Sequence, residues 1–383
     1  MIRLSALGDV ALTTGVLEYW HRTRGWTFTV ITREAFAPVL EGHPAVCSIV
    51  GLAKEDLRFP RQLGVFRDLA EAHAGQGLLD LHGTLRTRLL SLLWKGPVKR
   101  YRKLGLERRL FLRSKGRLFR NELRLWNVPQ RYALAVEATP PPRAALLPHI
   151  WLSDEEIRQG QRLLEQLPDK AGTPPIALHP YATHPDKAWK EAYWRQLMEL
   201  FESHGIPWIV IGRGSGMEGI PASRNFTNRT SLRETCALLK SSSLLITGDS
   251  GPMHLAGAVG TPVLALFGPT TEEWGFFPAG PKDRVLESQL DCRPCTLHGK
   301  KHCVRNHACM QSITPEQVMR ALDELKIGGK GVLKKALPLQ TSPFPSQRLS
   351  AGGEADQQEF LPDNSFLESN TAESLIFSPY FLK

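Results

Sequence analysis

The stretch LLITGDSGPMHLAGAVGTPVLALFGPT, residues 244–270, combines the residue types and spacing of an anion site. A buried strand is expected over 244–247, then a Gly-Asp-Ser-Gly turn over 248–251, then a helix with Pro252 in its first turn. A second apolar run over 263–267 completes a βαβ unit with parallel strands. The free N–H groups at such a helix start can hold a phosphate, although many turns of this kind bind nothing.

Asp9 occupies a similar position near the beginning of the chain, where a helix is expected to follow a short strand over 1–4. The helix dipole favours a carboxylate at that point, so the local pattern favours a helix cap. His82 and Gly83 follow another short strand, over 77–81. Because parallel strands end at one edge of a sheet, Asp9 can instead share a site with His82 and Gly83.

A strongly basic stretch runs from Arg86 to Arg131, with fifteen Lys and Arg residues against Glu107 and Glu122. It accounts for much of the net charge of +10. Such a stretch predicts an acidic partner, which can be nucleic acid, an anionic membrane surface or a phosphorylated substrate. The remaining alternative is a solvated basic helix face.

Four of the six cysteines lie in one segment, spaced Cys292-x2-Cys295-x7-Cys303-x5-Cys309, and three histidines accompany them: His298, His302 and His307. Cysteine and histidine in this density can hold a structural zinc ion or an iron–sulfur cluster. The spacing fits no standard zinc module, however, and free thiols are the alternative in a reducing compartment.

The composition is that of a soluble globular protein, with 42% hydrophobic and 22% charged residues in a chain of 383. Neither a secretory signal nor an apolar run of about 20 residues is recognisable, so a cytoplasmic protein is expected. Strands and helices alternate, which predicts α/β domains with doubly wound parallel sheets. We place the domains at 1–150 and 151–327 and expect disorder over 328–383.

Three motifs occur in order: Arg3-Leu4-Ser5-Ala6-Leu7-Gly8-Asp9-Val10, the loop HPYATHPDKAW over 179–189, and GDSGPMHLAGAVGTPVLALFGPT over 248–270. Together they resemble the ADP-heptose:lipopolysaccharide heptosyltransferases over roughly residues 1 to 326. The resemblance implies an inverting glycosyltransferase of the GT-B architecture, with two facing Rossmann-like domains. The N-terminal domain would bind the acceptor and the C-terminal domain the nucleotide sugar.

The resemblance also implies roles for particular residues. Asp9 becomes the general base that deprotonates the acceptor hydroxyl, in place of a simple cap. Glu218 is a candidate for the ribose hydroxyls, and Lys190 stands where the family usually has proline. The residues that would surround the donor diphosphate are Lys187, Thr183, Asp249, Ser250, Gly251 and His254. These fixed donors would replace a divalent cation, so no cofactor is expected for the transfer.

The implied acceptor is the lipopolysaccharide inner core at the cytoplasmic face of the membrane. Its acidic groups and the anionic headgroups around it would give the basic stretch a purpose. His82, Gly83, Arg86 and Arg88 are the acceptor-side candidates. The expected partners are therefore ADP-heptose, the inner-core acceptor and an anionic membrane surface, without nucleic acid.

Two alternatives remain open at this point. A GT-B enzyme using another nucleotide sugar would carry the same motifs, since nothing in them specifies the sugar. A basic nucleic-acid-binding protein would explain the charge, but the basic stretch holds few aromatic residues for stacking and no known nucleic-acid module.

Overall fold

Two parallel β-sheets with helices packed around them make up this computed structural model, which describes residues 1–168, 173–297, 299, 303–327 and 350–351. The contacts group Met1–Gly352 as one unit and Gly353–Lys383 as another, which lies outside the described residues. In the described ranges, none of the helices combines the length and apolar character needed to cross a membrane.

The strands are β1 Phe28–Arg33, β2 Val46–Leu52, β3 Leu78–Asp80, β4 Val98–Arg100, β5 Ile176–His179, β6 Trp208–Val210, β7 Leu244–Gly248, β8 Val263–Phe267, β9 Arg284–Glu287 and β10 Ser350–Ala351. The α-helices are α1 Leu7–Arg24, α2 Arg61–Ala72, α3 Leu85–Leu93, α4 Gly105–Arg113, α5 Arg120–Leu125, α6 Val128–Ala133, α7 Asp154–Leu164, α8 Glu191–His204, α9 Leu232–Lys240, α10 Gly251–Ala258, α11 Ala308–Gln311 and α12 Pro315–Glu324.

The first sheet has residues 1–4 at its centre. Ile2 forms parallel bridges to Ile31 in β1 and to Asp80 in β3, which gives the order β2, β1, residues 1–4, β3, β4. The chain runs outward on one side of the first strand and then on the other. Ligands bind at this kind of reversal, beyond the carboxyl ends of the strands. Asp9 and His82 therefore follow the two strands that flank the reversal.

The second sheet has the order β6, β5, β7, β8, β9, all parallel, and β10 adds an antiparallel edge. Its reversal lies between β5 and β7, so the segments after His179 and Gly248 border the expected ligand site. These are the segments that carry Lys187 and Asp249. The doubly wound α/β fold predicted from the sequence is thus confirmed.

Most predicted elements are present, including the βαβ unit of β7, α10 and β8. The segment Glu34–Leu40 is a 3-10 helix with Pro38 inside it. A proline inside an α-helix removes a hydrogen bond and clashes with the preceding turn. In the tail expected to be disordered, Ser350 and Ala351 pair with β9, and the rest lies outside the described residues. The domain boundary at residue 150 stays a prediction.

The two sheets share an apolar core in which α1 packs against α10. Val10, Leu17 and Trp20 of α1 lie in the same buried cluster as Met253 and Leu255 of α10. This packing brings the first turns of the two helices together, and with them the two predicted halves of the site.

Candidate active site

The Asp9 carboxylate is held by three donors at the beginning of α1. Its Oδ2 accepts from the Ala6 amide at 3.0 Å, so Asp9 does cap the helix as the local pattern predicts. Its Oδ1 accepts from the Tyr132 hydroxyl at 2.9 Å and pairs with Arg3 Nη2 at 2.5 Å. A carboxylate offers about four lone-pair sites, so one remains for a further proton donor. The side chain is 16% exposed, and a ligand can therefore reach it.

The surroundings of Asp9 keep it ionised. Burial alone would raise the pKa of Asp9, but the Arg3 guanidinium, the Ala6 amide and the Tyr132 hydroxyl together lower it below its ordinary value. Burial raises the pKa of Tyr132 well above its ordinary value. At neutral pH the Tyr132 phenol therefore stays protonated, and it donates a hydrogen bond to the ionised Asp9 carboxylate.

Asp9 lies next to the donor-side residues because α1 and α10 touch at their first turns. The ring of His254 lies against Gly8, where a Cβ would collide with it. A Cβ at Gly251 would lie 3.3 Å from the Leu7 side chain. Burial lowers the pKa of His254, with Lys187 acting in the same direction and with Asp249 and Asp9 opposing it. The His254 ring thus contacts the first turn of α1 and lies within electrostatic reach of Asp9, Lys187 and Asp249.

Lys187 and Asp249 form an ion pair, with Nζ 2.5 Å from Oδ2, and both side chains are 15% exposed. The same Oδ2 accepts from Thr270 Oγ1 at 2.8 Å. Asp249 therefore fixes the ammonium group of Lys187 at the end of β7. An ammonium group has three N–H donors, so Lys187 can bind an anion while it stays paired with Asp249.

Ser250 precedes α10 without capping it, since its side chain makes no hydrogen bond to the first turn. Its hydroxyl lies 2.9 Å from Thr247 Oγ1 and 3.3 Å from His179 Nδ1. Burial lowers the pKa of His179 to about 4, so this imidazole is neutral. The serine is thus turned toward the sheet, and its side chain leaves the amides of Gly251 and Met253 to another acceptor, while Pro252 between them has no N–H.

Two residues predicted to bind the nucleotide sugar, Thr183 and Glu218, make no described hydrogen bond to Lys187 or Asp249. Thr183 lies in the loop after β5 and is exposed. Glu218 is also exposed, and only its backbone carbonyl takes part in a described hydrogen bond, from Arg195 at 2.8 Å. The structure does not bring either side chain into contact with Lys187 or Asp249.

On the acceptor side, the amides of His82 and Gly83 donate to Asp80 Oδ1 at 3.0 and 2.8 Å. Burial lowers the pKa of His82 to about 4, with Arg3 and Lys103 acting in the same direction. His82 Nδ1 is buried without a hydrogen-bond partner among the described residues. His82 is thus a neutral ring close to the Arg3–Asp9 pair.

Two further cations of the basic stretch, Lys103 and Arg108, lie within electrostatic reach of Asp9. Burial lowers the pKa values of Lys103 and Arg108, and in both Arg3 adds to the lowering while Asp9 opposes it. Arg86 and Arg88 are exposed on α3, and the contacts described around Asp9 involve neither. The basic acceptor side predicted from the sequence stays a prediction, and the sequence did not single out Lys103 and Arg108 within the basic stretch.

Part of the basic stretch is neutralised within the chain. Arg124 Nε lies 2.9 Å from Glu272 Oε1 and 3.7 Å from Glu273 Oε1, and Arg120 Nε lies 3.9 Å from the latter atom. Arg108 and Arg131 both donate to the Trp274 carbonyl, at 3.2 and 2.9 Å. These contacts link α4, α5 and α6 to the segment after β8, a use that the sequence did not indicate.

The four cysteines of the predicted structural site, Cys292, Cys295, Cys303 and Cys309, are free thiols. In the described part of the chain, no group of His, Cys, Asp or Glu is arranged to hold a metal ion. His298 and His302 lie outside the described residues. A structural zinc or iron–sulfur site therefore stays a prediction.

Arg3, Tyr132, Lys103 and Arg108 are the site residues that sequence reasoning missed. Arg3 stands in the first motif, six residues before Asp9, and a cation so close to a candidate base is a usable signal. Tyr132 is 123 residues from its partner Asp9, and no local pattern points to such a contact.

Comparison with known proteins identifies the family of this chain. The model of glycosyltransferase family 9 (heptosyltransferase) matches residues 69–304. Lipopolysaccharide heptosyltransferase 1 of Pseudomonas aeruginosa is 26% identical, over 79% of this chain and 86% of the relative. Lipooligosaccharide heptosyltransferase 2 of Campylobacter jejuni is 26% identical over 41% of this chain. The chain spans about half the length of the two Campylobacter jejuni relatives, 52% and 46% in two strains.

Among solved structures, ADP-heptose LPS heptosyltransferase II of Escherichia coli superimposes with a TM-score of 0.64 and 20% identity, over 85% of this chain and 97% of that one. This likeness supports the fold. The family model covers well over half of the chain, from the end of α2 to the segment after β9. The chain therefore belongs to glycosyltransferase family 9, the heptosyltransferase family.

Proposed function

We propose that this glycosyltransferase moves a heptose from ADP-heptose to the inner core of lipopolysaccharide, with inversion at the anomeric carbon. The observation that supports the proposal is the contact of the His254 ring with Gly8, the residue before Asp9, while the charges of Asp9, Lys187 and Asp249 all act on the pKa of that ring. In this proposal the base at the start of α1 and the anion site at the start of α10 act together where these two helices meet. The names of the Pseudomonas and Escherichia relatives support the choice of heptose and lipopolysaccharide.

In this proposal Asp9 takes the proton of the acceptor hydroxyl. The hydroxyl oxygen forms a bond to the anomeric carbon while the bond from that carbon to the diphosphate oxygen breaks, and ADP leaves with the bonding electrons. Single displacement needs the base and the leaving group on opposite faces of the sugar. The low pKa of Asp9 keeps it ionised, as a base must be.

Lys187 and the amides at the start of α10 would stabilise the departing diphosphate. Lys187 is fixed by Asp249 and needs no rearrangement when charge develops. The amides from Gly251 onward add the positive end of the helix dipole. Since these groups supply the positive charge that a divalent cation would bring, we propose transfer without a metal ion. Thr183 and Glu218 remain candidate donor contacts.

Lys103 and Arg108 would bind an acidic group of the acceptor beside Asp9. Burial and repulsion from Arg3 lower the pKa values of Lys103 and Arg108. An anion bound beside them would oppose both effects and stabilise their charged forms. His82 and Gly83 would form the wall of this acceptor site. An acidic inner-core sugar or a phosphate has the required charge.

We further propose that the protein binds the inner face of the cytoplasmic membrane through α3. Leu85, Arg88 and Leu92 stand at i, i+3 and i+7, so they share one face of this helix. Both leucines are 83% exposed, and Arg88 and its neighbour Arg86 are also exposed. Apolar side chains among arginines are typical of a surface that enters an anionic interface.

The proposal is tested with purified protein, ADP-heptose and a defined inner-core acceptor, with mass spectrometry of the products. We expect one heptose to be added and ADP to be released. The same assay with UDP- and GDP-sugars tests the alternative donor. Consumption of another nucleotide sugar, with ADP-heptose left intact, would reject the heptose assignment while keeping the glycosyltransferase.

A further inference from the structure

The loop that carries Lys187 is held from outside by the segment containing the four cysteines. Asp186 and Lys187 end a short 3-10 helix, Pro185–Lys187. His307 Nε2 lies 2.7 Å from Asp186 Oδ1. A Cβ on Gly299 would lie 2.9 Å from Lys187 Cγ and 3.1 Å from His184 Cβ, so the glycine is packed flush against this loop. The segment with the four cysteines therefore contacts both Asp186, through His307, and Lys187, through Gly299.

His307 is well placed to act as an anchor. It precedes α11, whose Cys309 and Met310 are buried against Gly268 at the end of β8. Its amide donates to Cys303 Sγ at 3.2 Å. The His307 backbone has a φ of 55°, a left-handed conformation that non-glycine residues adopt only when their surroundings impose it. The imidazole thus projects from a fixed support toward Asp186.

The contact between His307 and Asp186 also fixes the position of the negative charge on Asp186. Asp186 is adjacent in sequence to Lys187, whose ammonium group already has a carboxylate partner in Asp249. A second free carboxylate at this place would compete for Lys187 and would repel an incoming diphosphate. Asp186 is only 14% exposed, so water screens its charge less than at an open surface.

We propose that His307 is a positioning residue for the donor site: by binding the Asp186 carboxylate, it keeps that charge away from Lys187 and fixes the loop on which Lys187 is carried. This inference rests on the proposed role of Lys187 in binding the donor diphosphate. It gives the segment with the four cysteines a function in donor binding, which applies whether or not that segment holds a metal ion.

The test is the affinity for ADP, measured by calorimetry on the full chain. His307→Phe keeps a ring but cannot donate to Asp186, and we expect it to weaken ADP binding by about 3- to 10-fold, the usual coupling between neighbouring groups. His307→Gln, whose amide can reach the same carboxylate, should restore most of the affinity. In an Asp186→Asn background, His307→Phe should change the affinity by less than about 2-fold, because the charge to be controlled is gone.

His204→Phe, at the exposed end of α8, is the matched control and should bind ADP like the wild type. In the transfer assay, His307→Phe should raise KM for the donor and lower kcat to a smaller extent, since Lys187 also stabilises the departing diphosphate while Asp9 and the acceptor side are untouched, and the melting temperature should stay at the wild-type value. A loss that only reflects poorer folding would lower kcat and melting temperature together and would persist in His307→Gln.

Unchanged ADP affinity in His307→Phe would overturn the inference, as would an equally large loss in the Asp186→Asn background. Lys187→Ala measured in the same series separates this failure from that of the proposed function. If Lys187→Ala binds ADP normally, the role of Lys187 itself is wrong. If only the His307 variants behave normally, the donor site stands and the positioning role is rejected.

Discussion

Arg3 and Asp9 form a buried ion pair, with Nη2 2.5 Å from Oδ1, beside the strand reversal of the first sheet. Arg3 Nη1 also donates to the Leu81 carbonyl at 2.5 Å, which ties the pair to the end of β3. A carboxylate of lowered pKa is a weak base in solution. Asp9 would therefore act as a base because it is held in a fixed position and is fully ionised at neutral pH.

Replacing Asp9 by asparagine should remove the proton acceptor with little change in shape. We expect kcat to fall by roughly 10²–10⁴-fold, the usual contribution of a general base, with ADP affinity nearly unchanged. Asp56→Asn is a close control, because Asp56 also accepts from an amide three residues earlier and pairs with Arg61 at 2.8 Å. Wild-type turnover in Asp9→Asn would rule out Asp9 as the base.

The hydroxyl of Tyr132 should set the pH at which the enzyme loses activity in acid. The bond to Asp9 Oδ1 stabilises the ionised carboxylate and helps to lower its pKa. In Tyr132→Phe this pKa rises, so the acidic limb of kcat/KM should move to higher pH by about one unit, as expected for a hydrogen bond to a charged group. Above both pKa values the rates should converge. Tyr19→Phe, on α1, should leave the profile in place, whereas an unshifted profile in Tyr132→Phe would remove Tyr132 from this role.

The sequence predicted the parts of the site that lie in compact motifs at strand ends. The motifs that carry the family resemblance pointed to Asp9, Lys187 and Asp249, and in the structure the charges of all three act on the pKa of His254. The partners of Asp9 were harder to find. Tyr132 approaches from a helix 123 residues away, and such a contact depends on how α6 packs against α1.

The sequence was also insufficient to assign roles to the individual residues of the basic stretch. Its charge predicted an acidic partner, but the sequence could not separate arginines that pair within the chain from those that face a ligand. Arg124 is paired with Glu272, 148 residues away. Asp9 instead acts on Lys103 and Arg108, whose pKa values it raises against the effect of their burial. Only the tertiary fold distinguishes these uses, because residues of one charge look alike in a linear pattern.

Lys187→Ala should weaken both ADP binding and turnover. Loss of a charged donor to a phosphate costs about 1.5 to 3 kcal/mol, which corresponds to roughly 10- to 100-fold in affinity. It also leaves Asp249 unpaired beside the diphosphate, which adds repulsion. Lys190→Ala removes the same charge from an exposed position three residues later and should have little effect. Equal ADP affinities in the two variants would remove Lys187 from the phosphate site.

The double variant Leu85→Glu/Leu92→Glu should reduce binding to vesicles that contain anionic lipid. Each leucine that enters the interface contributes about 1 to 2 kcal/mol, so we expect a loss of roughly tenfold or more. Flotation of the protein with vesicles, at low and at moderate salt, measures this. Val304→Glu adds a charge at a position that is 90% exposed outside α3 and should float like the wild type. Unaltered flotation of the double variant would place the membrane contact elsewhere.

Gly8 and Gly64 provide a test of the contact between α1 and α10. Alanine normally stabilises a helix relative to glycine by about 1 kcal/mol. Gly64→Ala should show this gain, because a Cβ in this position of α2 meets nothing within 4 Å. Gly8→Ala places its methyl group against the His254 ring, so that ring, and with it the spacing between Asp9 and Lys187, must shift. We expect lower transfer activity without gain in the free energy of unfolding, measured by kinetics and by denaturant titration. If Gly8→Ala were as active and as stabilised as Gly64→Ala, the two helices would not meet through His254.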